Sequence, residues 1–251
     1  MPAERARWIG TSTKMYFGYQ QHFDWMSAVA RIVEERPALA EAGITPFVIP
    51  SFPVLESALR ILGPAGVTVG AQAVSQDEGA ATGEVGAGLL AEMGVRLVEI
   101  GHAERRARYG ETDAVVAAKT RVAIAAGLTP LLCVGEAEGG DPEGAVRTVV
   151  DQCVAAVGDA ALLDRIVVAY EPVWAIGAPA PAGADHVNAV VAGIRSSLTE
   201  LIGGPAPAIV YGGSAGPGLL ATVPEVDGLF LGRFAHDPAN FGRVLDEALA
   251  R

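Results

Sequence analysis

The sequence predicts a single-domain α/β protein, a parallel (β/α)8 barrel spanning residues 1–251, and three observations carry that expectation. Eight short apolar runs recur along the chain, most of them separated by longer Ala-rich segments whose apolar residues fall at helical spacing. The runs are too apolar for strands with one wet face and suit parallel strands covered on both sides. The 251 residues, 51% of them hydrophobic, match the length and core that one such barrel needs.

In order, the strand candidates are RWIG (7–10), ITPFVIP (44–50), VTVGAQ (67–72), VRLVEIG (95–101), LTPLLCVG (128–135), RIVVAYE (165–171), PAIVYGG (207–213) and DGLFLG (227–232). Helices are expected near Phe23 to Glu35, over VLESALRILG, over DAVVAAKTRVAIAAG, EGAVRTVVDQCVAAVG and ADHVNAVVAGIRSSL, and over NFGRVLDEALA at the end. The alternation fits the eight strand-helix units of one barrel. Two links are unusual. AVSQDEGAATGEVGAG (73–88), followed by LLAEMG, is longer and richer in Gly than an ordinary βα loop, and PVWAIGAPAPAG (172–183) is stiffened by Pro172, Pro179 and Pro181. A doubly wound sheet would use the same local units, but neither G-x-G-x-x-G nor G-x-x-x-x-G-K-[ST] occurs.

The formal charge of −11, with 18 Lys and Arg against 29 Asp and Glu, argues against a nucleic-acid or anionic-membrane surface. A local basic pocket for a small anion remains compatible with it. Cys133 and Cys153 are too few for a disulfide scaffold, and no export signal or apolar run near 20 residues is seen, so a cytoplasmic setting is expected. His22, His102, His186 and His236 are scattered without metal-ligand spacing, and no metal or cofactor is expected.

In a parallel barrel the C-terminal strand ends converge, so polar residues there can meet around one ligand. TSTKM offers Lys14 after the first strand, EIGHAERR offers His102 and Glu104 after the fourth, and the sixth ends on Glu171. Singly, each has a plain reading: a solvated lysine, a structural histidine, a helix-capping glutamate. Together they form a proton-transfer set. A carboxylate can take a proton beside a carbonyl, an imidazole can move protons between adjacent oxygens, and an ammonium can stabilise enediolate charge. The Gly-rich YGGSAG and LFLGRF follow the last two strands, where backbone N–H groups can cradle a phosphate.

With these residues assembled, the chain resembles the triosephosphate isomerase family over nearly its whole length, most specifically in AYEPVWAIG, EIGHAERR, YGGS and LLCVGE. The resemblance implies a TIM barrel in which Glu171 is the general base, His102 a neutral electrophile and proton shuttle, and Lys14 the electrostatic partner, with Glu104 a structural acid beside them. It implies phosphate contacts at Gly177, Ser214 and Gly232. It also makes Pro172, Val173, Trp174, Ala175, Ile176 and Gly177 the first half of a closing lid that keeps water from the enediolate. GAATGE resembles the family's interlocking loop, which places Thr82 near a partner's site in a homodimer.

Departures from the family pattern cluster around the substrate. Ser12-Thr13-Lys14 stands for Asn-Trp-Lys, His102-Ala103-Glu104 for His-Ser-Glu, APAPAG for the usual second half of the lid, and Arg233 for a second Gly. Short Ser12 leaves room for an extra CHOH unit, and Arg233 adds a long cation beside the phosphate position. This pattern resembles the family branch that interconverts erythrulose phosphates in erythritol catabolism. Ordinary triosephosphate isomerisation is the alternative, and a non-enzymatic barrel scaffold is the competing class. The scaffold gives no account of Lys14, His102 and Glu171 occurring together.

Overall fold

The computed structural model describes residues 6–251 and closes eight parallel strands into a barrel in sequence order, β1 pairing with both β2 and β8. The strands are β1 (Arg7–Ser12), β2 (Ile44–Ile49), β3 (Thr68–Ala71), β4 (Leu97–Ile100), β5 (Thr129–Val134), β6 (Val167–Tyr170), β7 (Ile209–Tyr211) and β8 (Gly228–Leu231). Each falls within or overlaps one of the eight apolar runs. The helices are α1 (Tyr19–Glu34), α2 (Ala38–Glu41), α3 (Leu55–Leu62), α4 (Ala87–Met93), α5 (Ala103–Tyr109), α6 (Asp113–Ala125), α7 (Pro142–Val157), α8 (Ala184–Ile202) and α9 (Pro238–Leu249).

The period-2 alternation of the strands sorts their apolar side chains into two cores. One face packs against the helices, where Val48, Val98, Leu132, Val168 and Leu229 meet residues such as Met26, Val149 and Val191. The other fills the barrel interior with Phe47, Ile49, Leu97, Leu131, Cys133, Val167, Ala169, Val210 and Phe230. Gly10 on β1 makes that filling possible, because a Cβ there would lie 2.2 Å from the Phe47 ring. Phe47 in turn stacks at a tilt on Phe230, 5.7 Å between centroids. The interior is therefore plugged by side chains, and only the strand ends are free to build a site.

Three local expectations are corrected. Helix α1 begins at Tyr19 rather than near Phe23, because its first turn packs Tyr19 against Phe23 and buries His22 against Thr13. The uniform strand-helix count fails between β7 and β8, where residues 212–227 form turns and no helix. Conversely α5 is a helix that the expected series lacks. It is short, it buries none of its own residues, and its start is fixed by the His102 side chain accepting a hydrogen bond from the Glu104 backbone N–H. Such a helix carries no apolar stripe to read. Among the described residues no helix is long and apolar enough to cross a membrane.

Candidate active site

The ends of β1, β4 and β6 bring Lys14, His102 and Glu171 into one cavity of about 150 Å³, which also touches Ser12, Glu104, Gly177, Ser214, Gly232 and Arg233. Residues as far apart in the chain as Ser12 and Arg233 meet because all eight strands run parallel, so every C-terminal end opens on the same face.

Glu171 follows β6, its backbone N–H donating to the Val134 carbonyl at 2.8 Å. Its side chain is buried and its Oε2 lies 3.6 Å from His102 Nε2. The space it occupies is left by a neighbour: a Cβ on Gly212 would sit 2.3 Å from Glu171 Oε1. The first Gly of YGGS thus serves to admit a carboxylate as well as to turn the chain.

His102 caps α5 through Nδ1, which accepts the Glu104 backbone N–H at 3.1 Å. An accepting Nδ1 carries no proton, so the neutral ring holds its hydrogen on Nε2, the nitrogen that faces Glu171 and Lys14. Lys14 Nζ lies 3.4 Å from that nitrogen and donates to Glu104 Oε1 at 2.8 Å. Burial by itself disfavours the ammonium, but the Glu104 hydrogen bond and charge, with Glu99 and Glu171 beyond, raise the Lys14 pKa above its ordinary value. The same ion pair, acting against the partial burial of Glu104, lowers that carboxyl below its usual range.

Lys14 adopts φ of +46°, rare for a residue with a Cβ and costing on the order of 1–3 kcal/mol. Two hydrogen bonds hold it there: Ser51 Oγ and Gln72 Nε2 donate to its carbonyl at 2.7 and 2.8 Å. No local sequence pattern marks either residue. Glu99 stands inside EIGHAERR, on β4. Glu99 lies 95% buried, its Oε2 without a hydrogen-bond partner, and its pKa is raised by burial first and by the nearby Glu171 charge second, with His102, Lys14 and Ser12 opposing. A charged residue in the middle of an apolar strand was the available signal.

The segment after Glu171 folds over the cavity. Val173–Ala175 forms one 3-10 turn after Pro172, and Ile176, Gly177 and Ala178 line the cavity wall. Both ends are tied down. Trp174 Nε1 donates to Glu136 Oε1 at 3.0 Å, and Tyr170 and His186 bear on the same oxygen. At the far end the Ala182 backbone N–H donates to the Tyr211 hydroxyl at 2.8 Å. Ser214 Oγ stands 2.9 Å from the carbonyls of both Ala175 and Ala178. Its hydroxyl is thereby committed to this segment, and any anion contact at Ser214 falls to its backbone N–H. Among the described residues, the backbone N–H groups of Gly177, Ser214, Gly232 and Arg233 enter no hydrogen bond to another backbone group. Gly177 and Ser214 have positive φ, +71° and +54°. The Arg233 guanidinium has no carboxylate partner among the described residues, and it lines the same cavity.

A second cavity, of about 290 Å³, adjoins the first on the side away from Gly232 and shares Ser12, Lys14, His102 and Glu104 with it. Gln72 and Glu99 line its depth, and Met15, Tyr16 and Tyr109 its rim. Of the predicted residues, Pro172, Val173, Trp174 and Ala175 line neither cavity, and nor does Thr82, which is exposed in a turn of the long third loop.

The triosephosphate isomerase family model matches residues 7–248. The chain is 47% identical over 245 residues to an L-erythrulose-1-phosphate isomerase of Pectobacterium atrosepticum, covering 96% of this chain and 95% of the relative. To a triosephosphate isomerase of Thiobacillus denitrificans it is 42% identical over 224 residues, covering 85% and 89%. Among solved structures, the triosephosphate isomerase of Bartonella henselae superposes with a TM-score of 0.82 at 28% identity, over 98% of this chain and all of that one.

Proposed function

Since the chain belongs to the triosephosphate isomerase family and is an isomerase, we propose that it acts on a four-carbon ketose phosphate, interconverting erythrulose phosphates by enediol proton transfer. The observation that carries the substrate choice is the likeness to L-erythrulose-1-phosphate isomerases along the full chain, together with Ser12 and Arg233 at the positions that frame the substrate. Removing the C3 proton of erythrulose 1-phosphate and returning a proton to C2 moves the carbonyl from C2 to C3. Renumbered from the other end, the product is an erythrulose 4-phosphate.

In this reading Glu171 takes the carbon-bound proton and later returns one. His102 Nε2–H polarises the carbonyl oxygen and relays a proton between the two oxygens. The Lys14 ammonium, held by Glu104, stabilises the enediolate charge. No cofactor is needed in this reading, because the conversion is redox-neutral: the electron pair and both oxygens stay within the substrate while the proton passes through Glu171. The phosphate rests on the free N–H groups of Gly177, Ser214 and Gly232, with Arg233 as its cation. Residues Pro172 to Gly177 act as the lid.

The chain works as one catalytic domain over residues 1–251 and as a homodimer in the cytoplasm, in erythritol breakdown, with no nucleic-acid or membrane partner. Exposed Met15 and Tyr16, with Tyr109 close by, form an apolar seat edged by Arg105 and Arg108, which suits the acidic third loop of a second copy, with Asp77, Glu78 and Glu84 flanking Thr82.

The test is a comparison of kcat/KM on L-erythrulose 1-phosphate and dihydroxyacetone phosphate with one preparation, alongside Glu171→Gln. The tetrulose is expected to win by roughly tenfold or more. Glu171→Gln should lower kcat by about 10²-fold or more with the melting temperature kept. A clear preference for the triose returns the chain to triosephosphate isomerisation proper.

A further inference from the structure

We propose that Glu99, acting with Ser12, is the residue pair that recognises the terminal hydroxymethyl group by which a tetrulose phosphate exceeds a triose phosphate. The inference deepens the tetrulose reading above and rests on it.

The substrate can extend in only one direction. Its phosphate end is set against Gly177, Gly232 and Arg233, and the reacting carbons lie between Glu171 and His102. The added carbon of a tetrulose is attached to the reacting carbon farther from the phosphate. It therefore projects past Ser12, away from Gly232, where the first cavity meets the second. Ser12 lines both cavities, and its short side chain leaves that passage open.

Glu99 waits at the end of the passage. It rises from β4 on the strand face that carries Leu97 into the barrel interior, one layer above the apolar plug. Its Oε2 has no hydrogen-bond partner although the side chain is 95% buried, and Ser12 lines the same cavity beside it. The Oε2 atoms of Glu111, Glu136 and Glu247 also lack partners but line neither cavity, whereas Glu99 lines the second, so a molecule bound there can supply the bond that its carboxyl lacks. A hydroxyl is the fitting partner, because it donates to a carboxylate and either donates or accepts with a carboxylic acid. Burial and the neighbouring Glu171 charge both favour the protonated form of Glu99, so a second full negative charge need not stand beside the enediolate. No step of the proton transfer uses Glu99, which separates recognition of the tail from the chemistry at C2 and C3.

The experiment compares L-erythrulose 1-phosphate with its 4-deoxy analogue, in which methyl replaces hydroxymethyl, in wild type, Glu99→Gln, Glu99→Met and Glu99→Leu. Replacing an unpaired buried acid by an apolar chain of similar size commonly preserves or raises stability, so the apolar variants should fold, and thermal melts check each one. Wild type is expected to prefer the hydroxylated substrate by roughly tenfold or more in kcat/KM, the Gln variant to keep most of that preference, and the Met and Leu variants to bring it within about threefold. Folded Met and Leu variants that retain the wild-type preference, or that lose both substrates in equal proportion, overturn the assignment. A wild type that turns over the tetrulose without preferring it to the deoxy compound also overturns it, while leaving the tetrulose reading intact. A wild type inactive on the tetrulose overturns both.

Discussion

At Lys14, His102 and Glu171 the distances of 3.4 and 3.6 Å are those of groups gathered for a ligand rather than bonded to one another. Around them, cost is concentrated: a left-handed Lys14, a left-handed Ser214, an unpartnered Glu171 Oε2 and an unpartnered Glu99 Oε2. Each is a local defect that the surrounding hydrogen bonds over-determine, the pattern expected where stability gives way to function. Glu99 makes this measurable. Its folded pKa is raised, so the folded state holds its proton more tightly than the unfolded chain does. Stability is therefore lost as pH rises from the ordinary glutamate value toward the folded value, and the loss levels off above that. Glu99→Met, which does not titrate, should melt at a higher temperature than wild type near neutral pH, with the gap shrinking as pH falls toward the ordinary glutamate value. Melting curves across that range check the sign, and a gap that widens on acidification would contradict it.

The elements act as mounts. The short helix α5 presents His102 at its first turn and is fastened below by Glu111, which accepts from Arg105 at 2.6 Å and from Lys119 of α6 at 2.7 Å. Opposing costs and gains meet in Glu111: burial raises its pKa, and the two cations more than reverse that, so the bracket stays ionised. The segment from Pro172 to Gly183 is held differently, by a few separate hydrogen bonds that a motion can break one at a time: Val173 and Trp174 to Glu136, Ser214 to the Ala175 and Ala178 carbonyls, and Ala182 to Tyr211. Tyr211→Phe removes one bond and keeps the ring. A bond of this kind is worth about 1 kcal/mol, so closure should weaken and kcat/KM should fall roughly fivefold, with more substrate lost to phosphate elimination from an unprotected enediolate. Product analysis of released inorganic phosphate tests it. An unchanged partition between isomerisation and elimination would mean that the bond does not govern closure.

The whole molecule places a rim of exposed apolar side chains, Met15, Tyr16 and Tyr109, directly beside the reacting groups, with Met15 88% exposed. Lys14 is the next residue to Met15, so whatever covers the rim also steadies the strained lysine. If a second copy supplies that cover through the Thr82 loop, replacing residues 79–84 by a short Gly-Ser turn should yield a monomer by sedimentation, with kcat reduced tenfold or more through loss of positioning. A monomer that remains fully active when dilute would remove the dimer from the mechanism while leaving the barrel as it is.

The eight strands are legible in the local pattern, because a parallel strand covered on both faces must be apolar throughout, and so are Lys14, His102 and Glu171, because polar residues at the ends of such strands stand out. Pro172, Pro179 and Pro181 also mark the segment after Glu171 as stiffened and too long for a tight turn. The remainder depends on neighbours far along the chain. The role of Gly212 follows from the volume of Glu171, and the conformation of Lys14 follows from Ser51 and Gln72. The tautomer of His102 follows from one backbone N–H. Glu99 is the clearest case: in the sequence it is one charge within a strand, and its burial, its missing partner and its proximity to Ser12 arise only when β1, β4 and β6 close around the same cavity. Local patterns report what a residue must be to form its element, whereas the energy of an unpaired or crowded group is set by atoms that the chain brings near it only on folding.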